Sequence, residues 1–311
     1  MNDLPLISIV SPVYKAEKIV HELIRRIVSS VETITDNYEI VLVCDGSPDG
    51  SWDAIKNECN KNKKIIGVNL SRNFGQHFAL SAGLNMVKGN WVVVMDCDLQ
   101  DRPEEIARML KYAQDNGFDA VVARRTARKD GLVKRMSSVC YNRVYQWLSG
   151  MSADNSIANF GIYNRKVVSA FCEMKDVSRS FQSLLAYLGF NIGVVEVKHS
   201  QRYEGKSSYS WRKLFALSSD IILANSNKPL KLTIRLGLII TILAILMILY
   251  NLIAYLTSDV LPGFSATIIS IWFVGGLNVF VLGVFGLYLD KIFNQVKNRP
   301  LYIISEVING K

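Results

Sequence analysis

Two charge-free apolar runs near the C-terminus constrain this chain more than any other feature. Leu236–Leu256 and Ser265–Leu289 each offer roughly 20 or more residues, enough for a helix to cross a bilayer. A core helix of a soluble protein passes the same test, but two such runs joined by a short loop disfavour it. Flanking charge sets the orientation. Lys228, Lys231 and Arg235 precede the first run, and Lys291, Lys297 and Arg299 follow the second. The loop Thr257–Phe264 carries only Asp259. The positive-inside rule therefore places both ends in the cytoplasm and the loop outside, a multi-pass arrangement. No basic segment followed by an apolar stretch opens the chain, so no cleaved signal is expected.

The remaining sequence alternates strand and helix signals. Leu6–Ser11, Glu39–Cys44, Ile65–Leu70, Trp91–Met95 and Asp119–Ala123 are apolar and rich in β-branched residues, as in strands covered on both faces. Helical patterns fall between them, from about Ala16 to Val31, Gly75 to Val87 and Pro103 to Asp115. That order predicts an α/β fold, a Rossmann-like and mostly parallel sheet with helices on both faces. Beyond Arg125 the spacing predicts a helix over Leu132–Leu148 and a short strand at Phe160–Tyr163. It then predicts helices over Lys166–Met174 and Arg179–Leu188, and a strand at Ile192–Val197. Trp211–Asn225 is basic at its start and apolar at helical spacing, as expected of a helix lying in the membrane interface. The boundaries so drawn are an α/β domain over 1–210, an interfacial helix over 211–231, two spans over 232–289 and a cytosolic tail over 290–311.

The chemistry gathers at strand ends. Trp91–Met95 runs into Asp96, Asp98, Gln100 and Asp101, and Pro103-Glu104-Glu105 then reads as a first helical turn. Open α/β sheets bind ligands at that edge. On the order of one Asp-x-Asp is expected by chance in a chain of this length, so placement is what lifts the motif. In extended chain, alternate residues point the same way, and three oxygen-bearing side chains then converge. Such hard ligands suit Mg²⁺ or Mn²⁺, which share the oxygens of a substrate phosphate. Asp45 ends the second strand, where an acid can meet a ribose or base, although Asp45-Gly46-Ser47 also suits a turn. Arg72 or Gln76, after the third strand, can meet phosphate or sugar. His77 reads as packing, with no partner at metal spacing.

Composition excludes other classes. The five cysteines show no Cys-x-x-Cys spacing, which fits reduced thiols rather than a zinc site or a disulfide framework. The net charge of +9 comes without an aromatic-and-basic nucleic-acid motif; it suits anionic lipid headgroups and phosphorylated substrates. Two basic runs, Arg124-Arg125 with Arg128-Lys129 and Arg202 with Lys206, Arg212 and Lys213, flank the membrane edge of the domain. Within them Arg125 and Arg202 are the expected phosphate contacts. No Gly-x-Gly-x-x-Gly follows the first strand, which disfavours hydride transfer.

Taken together, Ser11-Pro12-Val13-Tyr14, Cys44-Asp45-Gly46-Ser47, Arg72-Asn73-Phe74-Gly75-Gln76 and Met95–Pro103 resemble glycosyltransferase family 2. The closer likeness is to its polyprenyl-phosphate branch, which holds dolichyl-phosphate mannose synthases and bactoprenol glucosyltransferases. Arg202-x-x-Gly205-x-Ser207-x-Tyr209 and Asn298–Tyr302 resemble the same branch, so nearly the whole chain is covered. The resemblance implies a GT-A fold and inverting transfer of a hexose from a nucleotide-diphosphate sugar, a UDP-sugar by preference, to polyprenyl (undecaprenyl) phosphate. The product would serve cell-envelope glycan modification at a bacterial inner membrane. It implies donor contacts from Pro12, Tyr14, Glu17, Asp45, Ser47 and Gln76, with Mg²⁺ or Mn²⁺ on Asp96, Asp98 and Gln100. The phosphates and acceptor are expected near Arg125, Arg128, Arg202, Lys206 and Ser207.

Three positions depart from the family's usual pattern. Cys44 stands where an acid is common, Asn159-Phe160-Gly161 where Asp-Phe-Arg is common, and Ser207-Ser208-Tyr209 where Ser-Lys-Tyr is common. The second removes a carboxylate and a cation, which leaves Asp154 as the nearest acid for the acceptor side. The expected partners are a nucleotide sugar, a polyprenyl phosphate and the bilayer, with no nucleic acid; interfacial helices of this kind can pair into a homo-oligomer. Two rivals remain. A processive polysaccharide synthase would carry Gln-x-x-Arg-Trp, which is absent, since Trp211-Arg212 has the reverse order. A catalytically inactive membrane scaffold would not need Asp96, Asp98 and Gln100 intact.

Overall fold

The computed structural model describes residues 7–125, 157–176, 181–197, 226–257 and 263–310. The chain divides into two compact units. The first takes in Met1–Gly131, Asp154–Ser208 and Arg299–Lys311; the second, Leu132–Ala153 and Tyr209–Asn298.

In the first unit the α/β alternation forms as expected. The elements are β1 (Ile7–Val13), α1 (Val20–Val31), β2 (Tyr38–Cys44), α2 (Ser51–Lys61), β3 (Ile65–Leu70), α3 (Gln76–Met86) and β4 (Trp91–Val94). A 3₁₀ turn (Pro103–Glu105), α4 (Ile106–Asp115) and β5 (Ala120–Arg125) follow. After them come β6 (Ile157–Asn164), α5 (Arg165–Glu173), α6 (Phe181–Leu188), β7 (Ile192–Val197) and, from the far end of the chain, β8 (Ile304–Ile308). The sheet order is β7-β5-β6-β4-β1-β2-β3-β8. Pairing is parallel among β4, β1, β2 and β3 and between β5 and β7, whereas β6 and β8 run antiparallel to their neighbours.

Period-two alternation divides the core into two layers. Ile9, Ile40 and Leu42 face Leu23 and Ile27 of α1, Ile55 of α2 and Met109 of α4. Val10, Val41 and Val43 face Leu80 and Leu84 of α3 and Phe171 of α5. Each such side chain contributes about 2 kcal/mol by leaving water. Tyr163 of β6 and Phe171 meet Phe181 edge-on, at 5.1 and 4.9 Å between centroids. Pro12 costs β1 no ladder bond on its β4 side, because β4 pairs only as far as Val10.

Three expectations need correction. Helix α1 begins at Val20, not near Ala16; residues 17–19 form a turn in which the Ile19 and Val20 N–H groups both reach the Ala16 carbonyl, at 2.9 and 3.2 Å. The strand expected at Phe160–Tyr163 is longer, Ile157–Asn164, since it lies between β4 and β5 and is paired on both sides. The tail over 290–311, for which no element is expected from sequence, contains a strand. Residues 304–308 add to β3 as β8, and Arg299–Lys311 packs with the first unit.

The second unit contains two long helices, α7 (Lys228–Thr257) and α8 (Phe264–Val296). Lys228–Lys231 thus starts a long helix instead of ending an interfacial one. Within α8, Phe273–Val296 is 24 residues of mean hydropathy 1.7, long and apolar enough to cross a membrane; among the described residues it is the one stretch that meets this test. Helix α7 exposes Leu238, Ile242, Ile245 and Leu249. The helix expected over 132–148 and residues 211–225 of the expected interfacial segment lie outside the described residues.

Candidate active site

The carboxyl ends of β1, β2, β3 and β4 bring the N-terminal candidates to one edge of the first unit. Parallel strands order their ends this way, so the sheet does the gathering.

The β1 and β2 ends are laced together. Ser47 Oγ accepts the Lys15 N–H at 2.8 Å and donates to Asp49 Oδ1 at 2.5 Å. Ser51 Oγ accepts the Ala16 N–H at 3.0 Å and donates to the same oxygen at 2.6 Å. The Glu17 carboxylate accepts the Gly50 N–H at 3.2 Å, and Asp49 Oδ2 accepts the Glu17 N–H at 3.3 Å. Asp49, which the sequence shows only as a turn residue, is therefore the hub. Burial alone would raise its carboxyl, but the Ser47 and Ser51 hydroxyls and two backbone N–H groups hold it below its ordinary value.

A depressed folded value means that the stabilisation is fully present above the unfolded value of about 3.8 and is lost as pH falls through the lower folded one. Acid unfolding should show this. Below about pH 4, wild type should lose more unfolding temperature per pH unit than Asp49→Asn; equal slopes would remove Asp49 from the acid response.

Asp45 is 3% exposed, and its oxygens accept the Phe74 N–H at 2.8 Å and the Gly75 N–H at 2.9 Å. Burial raises its carboxyl, and those two bonds with the nearby Arg72 charge oppose the rise. It thus ties the β2 end to the β3–α3 loop. Gly46 lies against the same loop with φ +55°, where a Cβ would overlap the Arg72 and Asn73 backbone. Arg72 stacks over Phe74 at 4.1 Å. Tyr14 is 43% exposed at the end of β1, with Lys15 Nζ 5.5 Å from its ring centroid.

The β4 end holds the acids. Gln76 Nε2 donates to Asp96 Oδ1 at 2.6 Å, joining two predicted residues from different strand ends. Asn159 of β6 donates to Asp96 Oδ2 at 3.4 Å and accepts from Gln182 Nε2 at 3.3 Å. The chain is not extended through this loop. Strand β4 stops at Val94, Leu99 is left-handed with φ 59°, and the Gln100 N–H donates to Asp98 Oδ1 at 3.1 Å. The alternation expected to converge Asp96, Asp98 and Gln100 therefore does not operate; a turn sets their directions, and Gln100 is buried. Among the described residues no group of three His, Cys, Asp or Glu could hold a metal. Two carboxylates and an amide oxygen still fit Mg²⁺ or Mn²⁺, which are commonly held by one or two carboxylates and complete their shells with phosphate and water.

Burial pushes the Cys97 thiol, beside Asp96, up to about 12, away from the range of a reactive thiolate. His77 is driven down by burial, in keeping with packing. Arg128, Asp154, Arg202, Lys206 and Ser207 lie outside the described residues; Arg125 ends β5, with only its backbone described. Sequence reasoning missed Asp49 and Gln182. It noted Asn159 only as a departure from pattern, and no local signal pairs that residue with Asp96.

With this geometry, residues 8–184 match the model of Glycosyl transferase family 2. The chain belongs to that family and is a glycosyltransferase, with a GT-A-like α/β fold on a mixed, mostly parallel sheet. An uncharacterised glycosyltransferase of Synechocystis sp. (strain ATCC 27184 / PCC 6803 / Kazusa) is 32% identical over 303 residues, 97% of this chain and 95% of the relative. The undecaprenyl-phosphate 4-deoxy-4-formamido-L-arabinose transferase of Proteus mirabilis is 32% identical over 312 residues, 98% of this chain and 94% of that protein. A solved structure, the mannosyltransferase PcManGT from Pyrobaculum calidifontis in complex with GDP-Man and Mn²⁺, is 15% identical and covers 96% of this chain and 89% of its own. Its TM-score is 0.47.

Proposed function

We propose that this enzyme moves a hexose from a UDP-sugar to undecaprenyl phosphate, with inversion, at the cytoplasmic face of a bacterial inner membrane. The likeness to the Proteus mirabilis undecaprenyl-phosphate transferase carries the acceptor in this proposal, because it spans 98% of this chain and so takes in both the α/β unit and the long apolar helices; that relative's sugar is an arabinose, a pentose, so the hexose rests on the family resemblance alone. Helices α7 and α8 would each cross the bilayer, with the domain and both termini inside. Anchoring of that kind keeps the site within reach of a headgroup whose tail stays in the membrane, which raises effective concentration and orients attack.

Asp96, Asp98 and Gln100 would hold Mg²⁺ or Mn²⁺, and the bound cation would offset the charge that builds on the leaving diphosphate. The β1–β2 lacing and the Asp45 tie present Tyr14, Glu17 and Ser47 as a preformed edge for the nucleotide. Pro12 supports that edge from within the sheet. Arg125, Arg128, Arg202, Lys206 and Ser207 would receive the phosphates. One oxygen of the lipid phosphate bonds to the anomeric carbon as the bond from that carbon to the diphosphate oxygen breaks, and no proton needs to move. A phosphate monoester is largely dianionic near neutral pH, its second pKa being about 6, so a general base is dispensable. Asp154 would then position the acceptor, and unchanged turnover in Asp154→Asn would remove it from the site.

The test is transfer by purified protein in detergent with Mn²⁺ or Mg²⁺, undecaprenyl phosphate and a panel of UDP-sugars. Sugar should pass into the organic phase from one donor, and Asp98→Ala should abolish that transfer. No transfer from any donor, or equal transfer by Asp98→Ala, would overturn the proposal.

A further inference from the structure

Asn159 stands at a junction that the catalytic outline leaves unassigned. Strands β4 and β6 are antiparallel with Val93 opposite Ile162 and Val94 opposite Gly161. Continuing that ladder by two residues sets Asn159 directly opposite Asp96, where like charges destabilise and a donor facing an acceptor stabilises. The side chains meet accordingly, with Asn159 Nδ2 3.4 Å from Asp96 Oδ2. The far end of the same amide is engaged as well, because Asn159 Oδ1 accepts from Gln182 Nε2 at 3.3 Å. These neighbours define which end of the amide is nitrogen: it donates toward the carboxylate and accepts from the carboxamide. Gln76 holds the other Asp96 oxygen at 2.6 Å.

The strand carrying Asn159 has little freedom to move. Phe160 is fully buried. A Cβ on Gly161 would lie 2.7 Å from Tyr163 Cζ, so the Tyr163 ring occupies the place of a side chain there. Two carboxamides from two different elements thus grip Asp96 and spend one lone pair on each of its oxygens.

We infer that Asn159 is a positioning residue for Asp96, acting through its N–H donor and steadied by Gln182. It orients that carboxylate for the divalent cation and the donor diphosphate without itself touching either. This inference rests on the proposed function, since it needs Asp96 to face the cation. A neutral amide here adds no third carboxylate beside Asp96 and Asp98; an acid at 159, without the arginine that the family's common Asp-Phe-Arg carries where this chain has Gly161, would set a carboxylate against the first.

The experiment compares Mn²⁺ binding in the presence of UDP, without acceptor, by electron paramagnetic resonance and calorimetry in wild type, Asn159→Ala and Asn159→Asp. Aspartate fills the same space but cannot donate when ionised. Both variants should bind Mn²⁺ about 10-fold more weakly or worse, the usual cost of losing a partner that orients a metal ligand. Turnover should fall while the KM for undecaprenyl phosphate stays constant. Gln182→Ala, on an exposed position of α6, should weaken Mn²⁺ in the same direction by less, and serves if the strand variants do not fold. Wild-type Mn²⁺ affinity in Asn159→Asp, whatever the alanine variant does, would overturn the inference, as would unchanged affinity in Gln182→Ala should the strand variants not fold. A wild type that binds no Mn²⁺ with UDP would instead overturn the functional proposal, and this inference with it.

Discussion

Asp96→Asn should lower turnover by roughly 100- to 1,000-fold and leave the unfolding temperature nearly unchanged. The substitution is isosteric and keeps one oxygen. It removes the negative charge and turns one end of the group into a donor, which then faces a donor from Gln76 or Asn159. Gln76 is exposed and can turn away, so the fold tolerates the change. The proposed chemistry does not, because an amide would not offset the charge of a cation beside a diphosphate. Single-turnover transfer with saturating UDP-sugar is the measurement. Activity within a factor of about three of wild type would mean that Asp96 does not bear on the charge of the reaction.

Truncation before Ile303 should be the most damaging change to stability. Strand β8 covers the outer edge of β3, and its loss would expose that edge for pairing with other chains. Ile304 and Ile308 pack on the two faces of the core. At about 1 kcal/mol for each half-buried side chain, their removal costs about 2 kcal/mol. Several polar ties go as well. Asn309 Nδ2 caps the Cys59 and Ile65 carbonyls at 2.7 and 2.9 Å, Glu306 accepts from Trp52 Nε1 at 2.9 Å, and the Ile303 carbonyl accepts the Ser71 N–H at 2.9 Å. These add about 1 kcal/mol or more. A total of about 3 kcal/mol corresponds to roughly 6–12 °C in unfolding temperature. A thermal melt in detergent measures it, with aggregation followed by light scattering. An unchanged melt would show that the sheet is complete without the tail. Glu306→Gln, which keeps an acceptor for Trp52, should shift it little.

Much of the first unit was legible because its signals are local. Runs such as Tyr38–Cys44 alternate between two layers with period two, and Val20, Leu23, Ile24, Ile27 and Val31 mark one face of a helix. The order of these elements implies a parallel sheet, and parallel strands carry Asp45, Gln76 and Asp96 to one edge without further information. The apolar runs near the C-terminus follow from length and composition alone.

Other features could not be read locally. Whether Asp45 reaches a ligand or braces a loop depends on where residues 74 and 75 lie in space, and they use one lone pair on each of its oxygens. The acid loop after β4 bends through a left-handed Leu99, so alternation in extended chain misjudged how its side chains are directed.

By itself, then, the sequence determined the strands, the helices, the sheet edge that gathers the candidate residues and the apolar helices, since each depends on periodicity or composition over neighbouring residues. Tertiary structure alone decided the β8 pairing, where Ser305 meets Asn69 from 236 residues away, and the Asn159–Asp96 contact across 63. Contacts at that separation are set by packing and strand register across the whole sheet, and a polar side chain carries no local mark of the partner it will meet.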